Sequence, residues 1–86
     1  MTPINREALI AALNAQNSLQ PMLVIEWKGE WGIAMLLGEQ LSNTWRSGDL
    51  IIFWDDGDQT DLDENHYVNV FGDPLTLAKN AGSGPG

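Results

Sequence analysis

The chain predicts an α+β domain: one N-terminal helix packed on a four- to five-stranded antiparallel meander sheet. Two observations predict it. A run of helix formers follows Thr2-Pro3, and after Pro21 come several apolar, strand-like runs joined by short turn signals. A small SH3-like barrel with an N-terminal helix is the alternative architecture, because a single helix can cover only one face of such a sheet.

Thr2 offers a hydroxyl for an N-cap, and Pro3 stands where its missing N–H is harmless. From Ile4 to about Gln16, Leu9, Ile10, Ala12 and Leu13 cluster on one side, and Pro21 forbids continuation. Met22 to Trp27 reads as a strand by composition. Gly29 at the first central position of a Lys28-Gly29-Glu30-Trp31 turn suits a type II′ hairpin, returning through Gly32 to Leu37. In that register Trp27 faces Gly32 and Ile25 faces Ala34. The stretch from Gly38 to Gly48 is polar apart from Leu41 and Trp45, and reads as a connection. Leu50-Ile51-Ile52-Phe53-Trp54 is the clearest strand, five large apolar residues in succession. Tyr67 to Phe71 reads as a further strand, ended by Gly72-Asp73-Pro74. Leu75 to Ala78 fits either a short edge strand or a helical turn.

The 86 residues make one domain, 1–79, with 80–86 a flexible Gly/Ser/Pro tail by composition. A domain this small buries only about 60% of the surface its unfolded chain exposes. A hydrophobic content of 43% with four tryptophans argues against disorder in spite of a net charge of −8. Cysteine is absent, which rules out disulfides and thiolate metal sites and fits a reducing compartment. The N-terminus has no secretory pattern, and no apolar run approaches the roughly 18 residues of a membrane span. The expectation is a cytoplasmic protein with no membrane partner.

Charge is concentrated. Asp55, Asp56, Asp58, Asp61, Asp63 and Glu64 supply six of the twelve carboxylates within eleven residues that contain no lysine or arginine. Such a patch repels nucleic acid and attracts basic partners or cations. The plain alternative is a solvated face that keeps the protein dissolved. Direct nucleic-acid binding is not expected, since Arg6, Lys28, Arg46 and Lys79 are scattered singly.

Other chemistries fit less well. Asp61, Asp63 and Asn65 match the first, third and fifth positions of a calcium loop. Position six is His66 instead of glycine, and position twelve is Gly72 instead of a bidentate carboxylate. These three are therefore only weak metal candidates. His66 is the single histidine and no serine has a nucleophile-elbow context, so no catalytic constellation is expected. Glu26, between Ile25 and Trp27, reads as an outward-facing strand residue. No cofactor motif is present.

The expectation is a non-catalytic acidic module that captures a basic protein surface, as inhibitors, immunity-type proteins and nucleic-acid mimics do. Aspartates two apart on an extended segment would project to one side about 6–7 Å apart. Charge of this kind speeds encounter more than it supplies affinity, so an apolar anchor is also needed. Trp31, Trp45 and Arg46 are the candidates. Two alternatives stand beside this reading. One is an assembly module that forms a homodimer through an uncovered apolar sheet face. The other is a weak calcium-binding loop or a small enzyme subunit.

Overall fold

Asn5, a stronger cap than Thr2, starts the first helix in the computed structural model, which describes residues 2–82. Its side chain accepts a hydrogen bond from the Ala8 N–H, and α1 runs over Arg6–Asn14. Ile4 is therefore not helical. Its backbone forms an antiparallel bridge to Val68 through two hydrogen bonds of 2.9 Å. The expected helix start at Ile4 moves by two residues for that reason.

The strands are β1 (Met22–Trp27), β2 (Glu30–Leu36), β3 (Leu50–Trp54), β4 (Gln59–Thr60) and β5 (Asn69–Gly72), followed by helix α2 (Pro74–Gly82). All pairings are antiparallel, in the order β4-β3-β2-β1-β5. The first four strands form the predicted meander. The fifth crosses to the far edge and pairs with β1. Because β5 bonds to β1 and not to β4, both edges stay open and no barrel closes. Asp73 begins α2 by accepting from the Thr76 amide and hydroxyl, which lowers the Asp73 carboxyl below its ordinary value. Of the stretch expected as a tail, 80–82 belongs to α2 and 83–86 lies outside the described residues.

The β1–β2 turn corrects the expected hairpin. Lys28 (φ 51°) and Gly29 (φ 85°) are its central residues, a type I′ geometry with positive φ at both positions. Ile25 thus faces Gly32, Leu23 faces Ala34, and Trp27 faces Glu30. The register moves by two residues, so every side chain keeps its predicted face. Lysine is uncommon in the left-handed region, but its Nζ lies 4.9 Å over the Trp27 ring. The Glu26 carboxylate also accepts from the Gly29 amide at 2.6 Å.

One sheet face packs on α1. Leu9 and Leu13 join Leu23, Ile25, Ala34, Leu50, Ile52, Leu62 and Val68 in a single core, with Trp27, Trp54 and Val70 packed against it. Fully burying each leucine of α1 contributes roughly 1.5–3 kcal/mol. Gln16 closes the helix against the sheet, giving and taking hydrogen bonds of 2.8 Å with the Met22 backbone. The opposite face carries Val24, Trp31, Ile33, Phe53 and Phe71. A bulge between Val24 and Ile25 leaves Phe71 as the extra residue of β5, and its ring lies 4.6 Å from that of Trp31. Among the described residues, no helix is long and apolar enough to cross a membrane.

Candidate functional site: an acidic turn beside a tryptophan cleft

The acidic stretch is not one extended segment. It forms the β3–β4 turn, the two residues of β4 and the crossover that leads to β5. The Trp54 amide donates to the Asp58 carbonyl at 2.9 Å, and the Asp56 carboxylate accepts from the Asp58 amide at 2.8 Å. Leu62 then turns inward and is buried, while Asp61 and Asp63 on either side are exposed. The expected evenly spaced row of aspartates is replaced by a turn and a crossover, because Thr60 pairs with β3 and Leu62 belongs to the core. Asp55, Asp56, Asp58, Asp61, Asp63 and Glu64 are nonetheless all exposed, and Asp56, Asp58, Asp61 and Asp63 border one cleft.

These carboxylates are nearly free of counter-charge. Arg6 grips Asp61 with its two-pronged guanidinium, at 2.9 and 3.0 Å, and Asp61 also accepts from the Leu62 amide at 2.6 Å. Arg6–Asp61 is the single ion pair among the described residues. Asp63 is occupied locally, accepting from the Asn65 amide at 2.9 Å.

Beside the turn lies a cleft of about 310 Å³. Trp27 and Trp54 line it, ring centres 6.3 Å apart and planes tilted by 47°, with His66 5.0 Å from Trp27. Glu30, Asp56, Asp58, Asp61 and Asp63 surround it, and Leu62 also lines it. The Trp54 indole N–H is already engaged, donating to the Thr60 hydroxyl at 2.7 Å. Glu30 is held above its ordinary carboxyl value, first by desolvation, then by sharing a hydrogen bond with Asp56 and by the charges of Asp56, Asp55 and Asp58. A site that raises a carboxyl in this way favours either a proton or an arriving cation.

The other face of the sheet contributes an apolar groove of about 450 Å³ beside the same turn, lined by Val24, Trp31, Ile33, Phe53 and Asp55 among others. The Asp55 amide donates to the Trp31 carbonyl at 2.9 Å, tying groove to turn. Trp31 is 45% exposed and Phe71 39% exposed, so the anchor surface is accessible. Trp45 and Arg46 do not join it. They lie in the β2–β3 connection, near Leu37 and Asp49, at the start of β3. The length of β3 separates them from the acidic turn by about 13 Å. Trp45 is half-buried in a turn organised by the Ser42 hydroxyl, and the Arg46 amide donates to Asp49 at 2.9 Å.

Of the weak calcium candidates, Asp61 is paired with Arg6 and Asp63 accepts from the backbone amide of Asn65. Among the described residues, no group of three or more histidines, aspartates or glutamates is placed to hold a metal. Glu26 accepts from Asn69 at 2.7 Å and from the Gly29 amide. Both bonds lower its carboxyl, the reverse of what a general acid needs. No family model, curated protein or solved structure matched this chain.

Trp27, Trp54 and Glu30 line the cleft and Phe71 packs on Trp31, without being among the residues that the sequence pattern singles out. A type I′ turn at Lys28-Gly29 sets Glu30 opposite Trp27, whereas the approach of Glu30 to Asp56 depends on the pairing of β2 with β3. Phe71 depends on a bulge that no local pattern announces.

Proposed function

We propose that the chain is a non-catalytic module that captures a basic protein surface through its acidic end. The observation that carries this reading is the junction at Asp55, where unneutralised carboxylates and the apolar Trp31 groove meet at one end of the sheet. Charge gives rapid, oriented encounter, and the groove supplies the apolar contact that charge alone does not. Glu26 is committed to hydrogen bonds that lower its carboxyl, which counts against a catalytic acid at that position. Inhibitors, immunity-type proteins and nucleic-acid mimics work by the same physical logic.

The test is capture from source-cell lysate at low and high salt. Wild type is compared with a variant carrying Asp56→Asn, Asp58→Asn, Asp63→Asn and Glu64→Gln. These amides keep the turn's hydrogen-bond acceptors, and Asp61 is left in place because it pairs with Arg6. A basic protein bound at low salt and lost from the variant supports the reading. An identical set of proteins on both baits overturns it. The competing reading, homodimerisation through the Trp31 groove, is favoured by the exposure of Trp31 and Phe71. It predicts self-association that strengthens with salt, because two copies each carry a charge of −8.

A further inference from the structure

The cavity between Trp27 and Trp54 has a chemistry narrower than "acidic surface". Indole faces are electron-rich and attract cations placed over them. The single donor of Trp54 is satisfied by Thr60, so it has no free N–H to repel an arriving cation. The two tilted rings form an aromatic corner, and the carboxylates of Glu30, Asp56 and Asp58 border the same cavity. Its volume of about 310 Å³ is at the small end of the roughly 300–1,000 Å³ typical of ligand pockets, enough for one side chain and too little for a folded segment.

The protein's own cations show which chemistry these groups accept. Neither Arg6 nor Lys28 lines the cavity, but each meets one of its walls: Arg6 grips Asp61 with both prongs of its guanidinium, and Lys28 holds its ammonium 4.9 Å over the Trp27 ring. A guanidinium suits the corner better than an ammonium. It is planar, so it stacks on an indole while its edge meets a carboxylate with two parallel bonds, and it is less strongly hydrated.

We propose that the Trp27–Trp54 cleft receives one arginine side chain of the partner protein, its guanidinium set between the indoles and the carboxylates of Glu30, Asp56 and Asp58. This rests on the basic-partner reading and deepens it, turning a diffuse charge attraction into a site with a defined occupant.

The test uses the full chain and three short peptides, acetyl-Gly-Xaa-Gly-amide with arginine, lysine or citrulline at the centre. Tryptophan side-chain N–H signals are followed by NMR at low salt. The arginine peptide should shift the indole signals of Trp27 and Trp54 saturably, with a dissociation constant of roughly 1–10 mM. The lysine peptide should bind about fivefold more weakly, and neutral citrulline should leave the signals in place. Asp56→Asn with Asp58→Asn, both exposed turn positions, should abolish saturation while leaving the spectrum folded. Arginine and lysine peptides that act alike on loop amides and leave both indoles unmoved would overturn the cleft and leave the acidic-surface reading standing. No shift with either cation, together with equal protein capture by wild type and charge variant, would overturn both.

Discussion

The indole of Trp54 rests on Gly32, its partner across β2 and β3: a β-carbon on Gly32 would stand 2.8 Å from Cε3 of Trp54 and 3.0 Å from Cγ2 of Ile52. Glycine is present because a neighbouring tryptophan fills its place. The same contact holds Trp54 as a wall of the acidic cleft, so packing and the candidate site share one residue.

Gly32→Ala should therefore destabilise the fold by about 1–3 kcal/mol, since overpacking outweighs the smaller entropic gain of alanine. Urea unfolding would show a lower midpoint at unchanged slope. The indole signal of Trp54 should move in the folded state as the ring gives way.

Gly29→Ala isolates a different cause. Nothing lies within 4 Å of a β-carbon placed there, yet φ is +85°. The expected loss is about 1 kcal/mol from the left-handed backbone alone, and Gly29→Asn should lose less. Equal losses for alanine and asparagine would point to a contact instead.

The elements most legible in the residues are those set by long apolar runs. Leu50 to Trp54 is a strand over the range expected, and Leu9 and Leu13 are the buried stripe of α1. Short-range competition hid the rest. Thr2 and Asn5 are both capping residues, and the bridge between Ile4 and Val68 decides for Asn5. Gly29 fits two turn types, and the choice moves the register by two. Gln59 and Thr60 make a strand only because β3 offers a free edge, and nothing in Asp58-Gln59-Thr60-Asp61 shows that edge. The acidic patch was visible as a run of charge. Its partners Trp27, Trp54 and Glu30 were not, because they reach it through tertiary pairing.

Glu26 and Glu30 should give opposite pH dependence. Glu26 lies below its ordinary value of 4.5, chiefly through Asn69, so its stabilising contribution is present above that value and is lost as pH falls through the lowered one. Glu30 lies above 4.5, chiefly through desolvation, so its contribution is present below that value and is lost as pH rises through the raised one. Glu26→Gln should destabilise at neutral pH, and Glu30→Gln should stabilise. Both differences should shrink between about pH 7 and pH 3 in urea midpoints.

Arg6 and Asp61 are partly exposed, at 36% and 45%, which limits what their pairing contributes. A double-mutant cycle with Arg6→Ala and Asp61→Asn should give a coupling of about 0.5–1 kcal/mol. Most of it should vanish near 1 M salt, where screening acts over about 3 Å. A coupling that survives such salt would mean the pair is shielded from solvent.

The most direct test is the salt dependence of binding to the captured basic protein, measured for wild type, the four-residue charge variant and Trp31→Ser. Wild-type affinity should fall steeply with salt, the charge variant should lose most of that slope, and Trp31→Ser should lose affinity while keeping the slope. The same slope for wild type and charge variant would contradict the account, leaving the acidic end as a solvated face with no part in recognition.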